Sequence, residues 1–79
     1  KTKNMRAFGA LRKIEKEIKG GKYDKPKTSI QNMKLMNILA KALKANPNAL
    51  EFFPTVVKQL RPDYQKHIKK TAEHYKTNS

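Results

Sequence analysis

Apolar side chains in this chain recur at the helical period, and glycine or proline cuts each recurrence short. Ala7, Leu11, Ile14 and Ile18 fall at i, i+4, i+7 and i+11, the spacing of one helical face. Met5 and Phe8 widen the stripe, while Arg12, Lys13, Lys16 and Lys19 fall largely on other faces. The pattern predicts a helix over residues 1–19, with Glu15 and Lys19 as an attractive i,i+4 pair. Gly20-Gly21 ends it, because glycine readily takes the left-handed stop conformation.

The same reading continues to the end of the chain. Residues 20–28 form a loop in which Pro26 disfavours helix for the residue before it. Thr28 or Ser29 caps a second helix over about residues 30–45. Ile30, Met33, Met36, Leu39, Ala40 and Leu43 are read as its apolar side, with Leu35 and Ile38 off that stripe. Apolar around much of its girth, this helix belongs at the centre of a bundle. Its methionines are read as core filler.

Asn46-Pro47 ends the second helix, and Asn48 is placed to cap a short third one carrying Ala49, Leu50, Phe52 and Phe53. Pro54 breaks the pattern before Val56, Val57 and Leu60. Pro62 suits the first position of a last helix, and Asp63 suits its positive end. Tyr64, Ile68, Ala72 and Tyr75 then recur at i, i+4, i+8 and i+11. The polar tail over 76–79 is expected to fray. No segment alternates with period two. The fold class is therefore all-α, a compact bundle of four to five helices forming a single domain over residues 1–79. The chain opens on Lys1, and the expectation is a domain excised from a longer protein.

Size and residue chemistry then narrow the function. A chain of 79 residues builds one small core and has little room for a deep catalytic pocket. With no cysteine, disulfides, thiolate catalysis and cysteine-ligated zinc drop out. His67 and His74 are seven residues apart, roughly 10 Å along one helix, too far to share a metal ion. Gly20-Gly21 follows a helix, whereas phosphate-cradling loops follow a strand. Six acids spread over the chain do not make a paired-carboxylate site. The reading is non-enzymatic, with no cofactor and no metal. No apolar run approaches a membrane span, and the expected setting is nuclear or cytoplasmic.

What remains is charge and loops. Nineteen Lys and Arg against six acids give a formal net charge of +13. That is either a solvated surface or the footprint of an acidic partner. For DNA or RNA as that partner, the candidates are Arg6, Arg12, Lys13, Lys16 and Lys19 on the first helix, with Lys66, Lys69 and Lys70 on the last. Only three of the nineteen are arginine, so such binding is expected to rest on phosphates with little sequence preference. For a protein partner, the candidates are two loops, one holding Tyr23 and Asp24, the other Pro62 and Tyr64. Loops on a rigid scaffold commonly carry binding. An acid there can accept hydrogen bonds from a partner's backbone. The expected ligand is an acidic, aromatic-containing linear motif.

The order of these features resembles one family. Leu11-Arg12-Lys13-Ile14-Glu15-Lys16-Glu17-Ile18-Lys19, the Tyr23-Asp24 loop, Arg61-Pro62-Asp63-Tyr64 and the closing Ile68, Ala72 and Tyr75-Lys76 run carry the likeness. It is to the N-terminal domain of transcription elongation factor TFIIS and its relatives, especially the integrase-binding domain of lens epithelium-derived growth factor. The resemblance implies a compact right-handed helical bundle that binds short linear motifs of transcription and chromatin proteins. It implies that Asp24 holds the partner's backbone, with Tyr23 in an apolar slot and Pro62 and Tyr64 in the second gripping loop. Pro26, Pro54 and Pro62 depart from the family pattern.

Overall fold

The chain was analysed as a computed structural model, which describes residues 3–78. The predicted start of the first helix at Lys1-Thr2, and Ser79 at the end of the tail, lie outside the described residues. Five helices follow one another: α1 (Lys3–Lys19), α2 (Ser29–Ala45), α3 (Ala49–Phe52), α4 (Pro54–Val57) and α5 (Pro62–Asn78). No strand occurs among the described residues, and the fold is the all-α small bundle expected.

Local chemistry sets the boundaries. At the end of α1, Gly21 adopts φ +75°, a conformation that costs a side-chain-bearing residue about 1–2 kcal/mol. This turn lets the Lys22 N–H reach the Glu17 carbonyl at 2.9 Å and the Gly21 N–H reach Ile18 at 3.1 Å, which closes the helix on its own last carbonyls. Thr28 caps α2 through a reciprocal pair. Its hydroxyl accepts from the Gln31 N–H at 3.1 Å, and the Gln31 side-chain carbonyl accepts from the Thr28 N–H at 3.2 Å.

Asn48 stands at the start of α3 without a side-chain cap. The expected cap is replaced by Asn46, whose side-chain Oδ1 accepts the Asn48 N–H at 2.9 Å, because the short polar side chain bonds the backbone two residues on. The Glu15–Lys19 pair is also replaced. Glu15 is half-buried and accepts from the Thr55 hydroxyl of α4 at 3.5 Å.

α2 is the shared partner of the bundle: α1, α5 and α3 all pack against it, and α4 packs on α1 and α3. The core joins Leu11 from α1, Leu35, Leu39, Ala42 and Leu43 from α2, and Val56, Leu60 and Ile68 from the second half. Phe8 and Phe53 meet with ring centroids 5.8 Å apart and tilted by 52°, an arrangement aromatic quadrupoles favour.

The apolar side read for the second helix is corrected. Ile30 is 66% exposed and Met33 47% exposed, while Leu35 is buried. Successive i+3 steps fall about 60° short of a full turn each, so Ile30 lies opposite Leu39. Met33 is therefore surface rather than core filler, and only Met36 packs against the core. α5 runs on to Asn78. Tyr75 packs against the core, and the Lys76 ammonium lies 3.8 Å from Glu51 of α3; both tether the last turns.

Candidate functional site

A single buried side chain ties the start of α2, where the first predicted loop ends, to the turn that leads into α5. Asn32, in the first turns of α2, is fully buried. Its amide donates to the Thr28 carbonyl at 2.8 Å, and its carbonyl oxygen accepts the Arg61 N–H at 3.0 Å. Thr28 closes the loop after α1, and Arg61 is the residue before α5. A buried amide satisfied on both sides is geometrically demanding, so it holds the two segments in fixed relation.

Tyr23 lies on the first of these loops. Its N–H donates to the Glu17 carbonyl at 3.1 Å, and its side chain is half-buried. Burial raises the phenol pKa above its ordinary value of 10.0, and the nearby carboxylates of Asp24 and then Glu17 push in the same direction. Asp24 is exposed, and its carboxylate has no hydrogen bond or ion pair among the described residues. It is therefore open to donors from outside the chain.

The second loop presents Pro62 at the first position of α5 and Tyr64 half-buried beside it. The Arg61 guanidinium lies over the Tyr64 ring, 5.1 Å from its centroid, and also 3.6 Å from the Asp63 carboxylate. That ion pair is exposed and contributes little to stability, but it orients the guanidinium across the ring. Gln65 completes the turn by donating to the Leu60 carbonyl at 2.6 Å. Pro62 and Tyr64 directly follow the bridged Arg61, whereas Tyr23 and Asp24 precede Thr28 by four to five residues and are held instead against the end of α1. Asn32 was missed by the sequence reading, and Arg61 was read only as part of the second gripping loop, with no role of its own. The signal for Asn32 was present: a polar residue in phase with Leu35, Leu39 and Ala42.

The basic candidates divide into two sets. Arg6, Arg12, Lys13, Lys16 and Lys19 are all exposed. At 100° per residue they spread over one outward arc of α1, away from Ala7, Leu11 and Ile18. Arg6 and Arg12 line a depression of about 530 Å³ beside Met5 and Phe8. Lys66, Lys69 and Lys70 instead border a separate furrow of about 390 Å³ with Leu50 and Ala72. No α1 residue lines that furrow, so the two sets do not share a groove.

Among the described residues no three His, Asp or Glu side chains are grouped to hold a metal ion, and His67 and His74 are exposed. No helix of the described residues is long and apolar enough to cross a membrane. No protein-family model matches the chain, and no curated protein or solved structure does either.

Proposed function

We propose that this chain is a non-enzymatic helical adaptor that grips a short acidic linear motif at the loop end of its bundle. The observation that supports the proposal is the Asn32 bridge, which ties the start of α2, where the Tyr23–Asp24 loop ends, to Arg61 at the start of the second loop. Asp24 accepts hydrogen bonds from the motif's backbone, Arg61 pairs with an acidic side chain of the motif, and the half-buried faces of Tyr23 and Tyr64 receive its apolar anchor. The resemblance to the TFIIS N-terminal family supports motifs from transcription and chromatin proteins as the ligand class.

The test is calorimetry with a 12-residue acidic peptide containing one phenylalanine. Asp24→Asn is expected to weaken binding by about 1–3 kcal/mol, the range for a lost charge-assisted bond. An unchanged affinity removes Asp24 from the site.

A second reading is contact with nucleic-acid phosphates, supported by the single outward arc of five basic side chains on α1. It requires binding to mixed duplex that falls steeply as salt rises. Absence of a gel shift at low salt overturns it.

A further inference from the structure

We infer that the furrow between α5 and the α3–α4 pair is a second docking surface, and that it takes an acidic amphipathic helix of a partner protein. Two depressions run together there, of about 390 and 250 Å³, with Leu50 and Lys69 in the walls of both. The floor is aliphatic. Leu50, Pro54 and Val57 come from one side and Ala72 from the other. Five lysines stand on the rim, Lys58, Lys66, Lys69, Lys70 and Lys76, against only two acids, Glu51 and Glu73. All five lysines are exposed.

This combination specifies the occupant. An apolar trough wants apolar anchors at helical spacing, as helix-in-groove complexes use. The lysine stems extend that trough while their heads stay in water. The excess of positive charge wants carboxylates flanking those anchors. From Lys66 to Lys76 the rim spans roughly 15 Å of helix, enough for about three turns of a partner helix. A nucleic acid fits the same walls less well. They hold no aromatic ring on which a base can stack and no arginine to fork onto a phosphate or a guanine. The aliphatic floor also offers a phosphate backbone nothing. The surface is separate from the loop end, since none of Tyr23, Asp24, Pro62 and Tyr64 lines it.

The experiment uses the full chain and a labelled 18-residue helical peptide. The peptide carries leucines at i, i+4 and i+7, and Glu or Asp at most other positions. Fluorescence anisotropy gives affinity, and amide NMR gives location. The expected result is binding that shifts the amides of Leu50, Val57, Lys69 and Ala72. Lys66→Glu with Lys69→Glu, both on exposed positions, weakens it at least tenfold. Asp24→Asn leaves it unchanged, which keeps this site distinguishable from the loop-end proposal. A control peptide with serine for leucine binds at least tenfold more weakly. Thermal melts by circular dichroism verify that the double variant is folded. Four outcomes overturn the inference. They are no binding by the wild-type chain, equal binding by the leucine-free peptide, amide shifts outside the furrow, and a short DNA duplex occupying the furrow in preference to the peptide.

Discussion

At the scale of single residues, Asn32 is the side chain on which most depends. It is buried with both polar ends satisfied. Removing it leaves the part-buried Arg61 N–H without its acceptor, a loss of up to about 1–3 kcal/mol. Thr28 keeps a partner, because its carbonyl also accepts the Asn32 backbone N–H at 3.0 Å. Asn32→Ala is therefore expected to lower stability by about 1–3 kcal/mol in urea denaturation, with a larger proportional loss of loop-end binding than of furrow binding. Stability within about 0.5 kcal/mol of wild type, the ordinary range for a neutral surface change, would mean that the bridge is not structural.

Tyr23 supplies a residue-scale test in alkali. Its folded pKa lies above 10.0, through burial first and then the Asp24 and Glu17 charges. A raised pKa means that the folded state prefers the neutral phenol. The stability this adds is whole below pH 10 and is lost as pH rises through the folded value. Ultraviolet titration at the tyrosinate band, read as the difference from Tyr23→Phe, should show Tyr23 ionising later in the folded chain than in denaturant. Asp24→Asn should move that midpoint down only part of the way, since burial is the larger cause. A midpoint unmoved by denaturant would contradict the assignment.

At the scale of elements, the rotation of α2 about its axis separates two sequence readings experimentally. Leu39 is fully buried, whereas Met33 is 47% exposed. Leu39→Ala is expected to cost about 2–5 kcal/mol as a buried large-to-small change. Met33→Ala is expected to stay within about 0.5 kcal/mol, as surface changes do. Comparable losses at both positions would mean that the helix faces the core differently. Thr28→Ala should cost about 1 kcal/mol by removing the cap.

Element boundaries were legible in the sequence, because Gly20-Gly21, Thr28, Pro47, Pro54 and Pro62 act on backbone within a residue or two. The rotation of α2 was not. Its apolar residues surround much of the helix, and which of them is covered depends on where α1, α3 and α5 lie. The two loops were legible as places where Tyr23, Asp24, Pro62 and Tyr64 break a lysine-rich background. The tie between the start of α2 and the second loop was not, because Asn32 reaches across 29 residues of chain to Arg61. The furrow was less legible still: three of its lysines, Lys66, Lys69 and Lys70, were read as a phosphate surface, and its aliphatic floor exists only once α3, α4 and α5 are assembled.

At the scale of the whole molecule, a formal charge of +13 is carried on a body with extents of 36 × 29 × 19 Å. Such a body attracts any polyanion at low salt, so affinity alone does not identify a partner. Partition of the charge is more informative. Lysines of α5 border an aliphatic floor, while the basic arc of α1 faces outward. Duplex binding, if it uses α1, should lose about one unit of salt slope for each phosphate contact removed. Arg12→Gln with Lys16→Gln is then expected to flatten the logarithmic salt dependence by about two, measured by anisotropy across a salt series. An unaltered slope would place the phosphate contacts elsewhere.

The most direct test of the loop-end grip is an amide NMR titration of the full chain with the acidic, phenylalanine-containing peptide at physiological salt. Saturable shifts should gather at Tyr23, Asp24, Arg61, Asp63 and Tyr64, and in Asp24→Asn should reach saturation only at higher peptide concentration. Silence of those amides while the peptide is bound would contradict the proposed function outright.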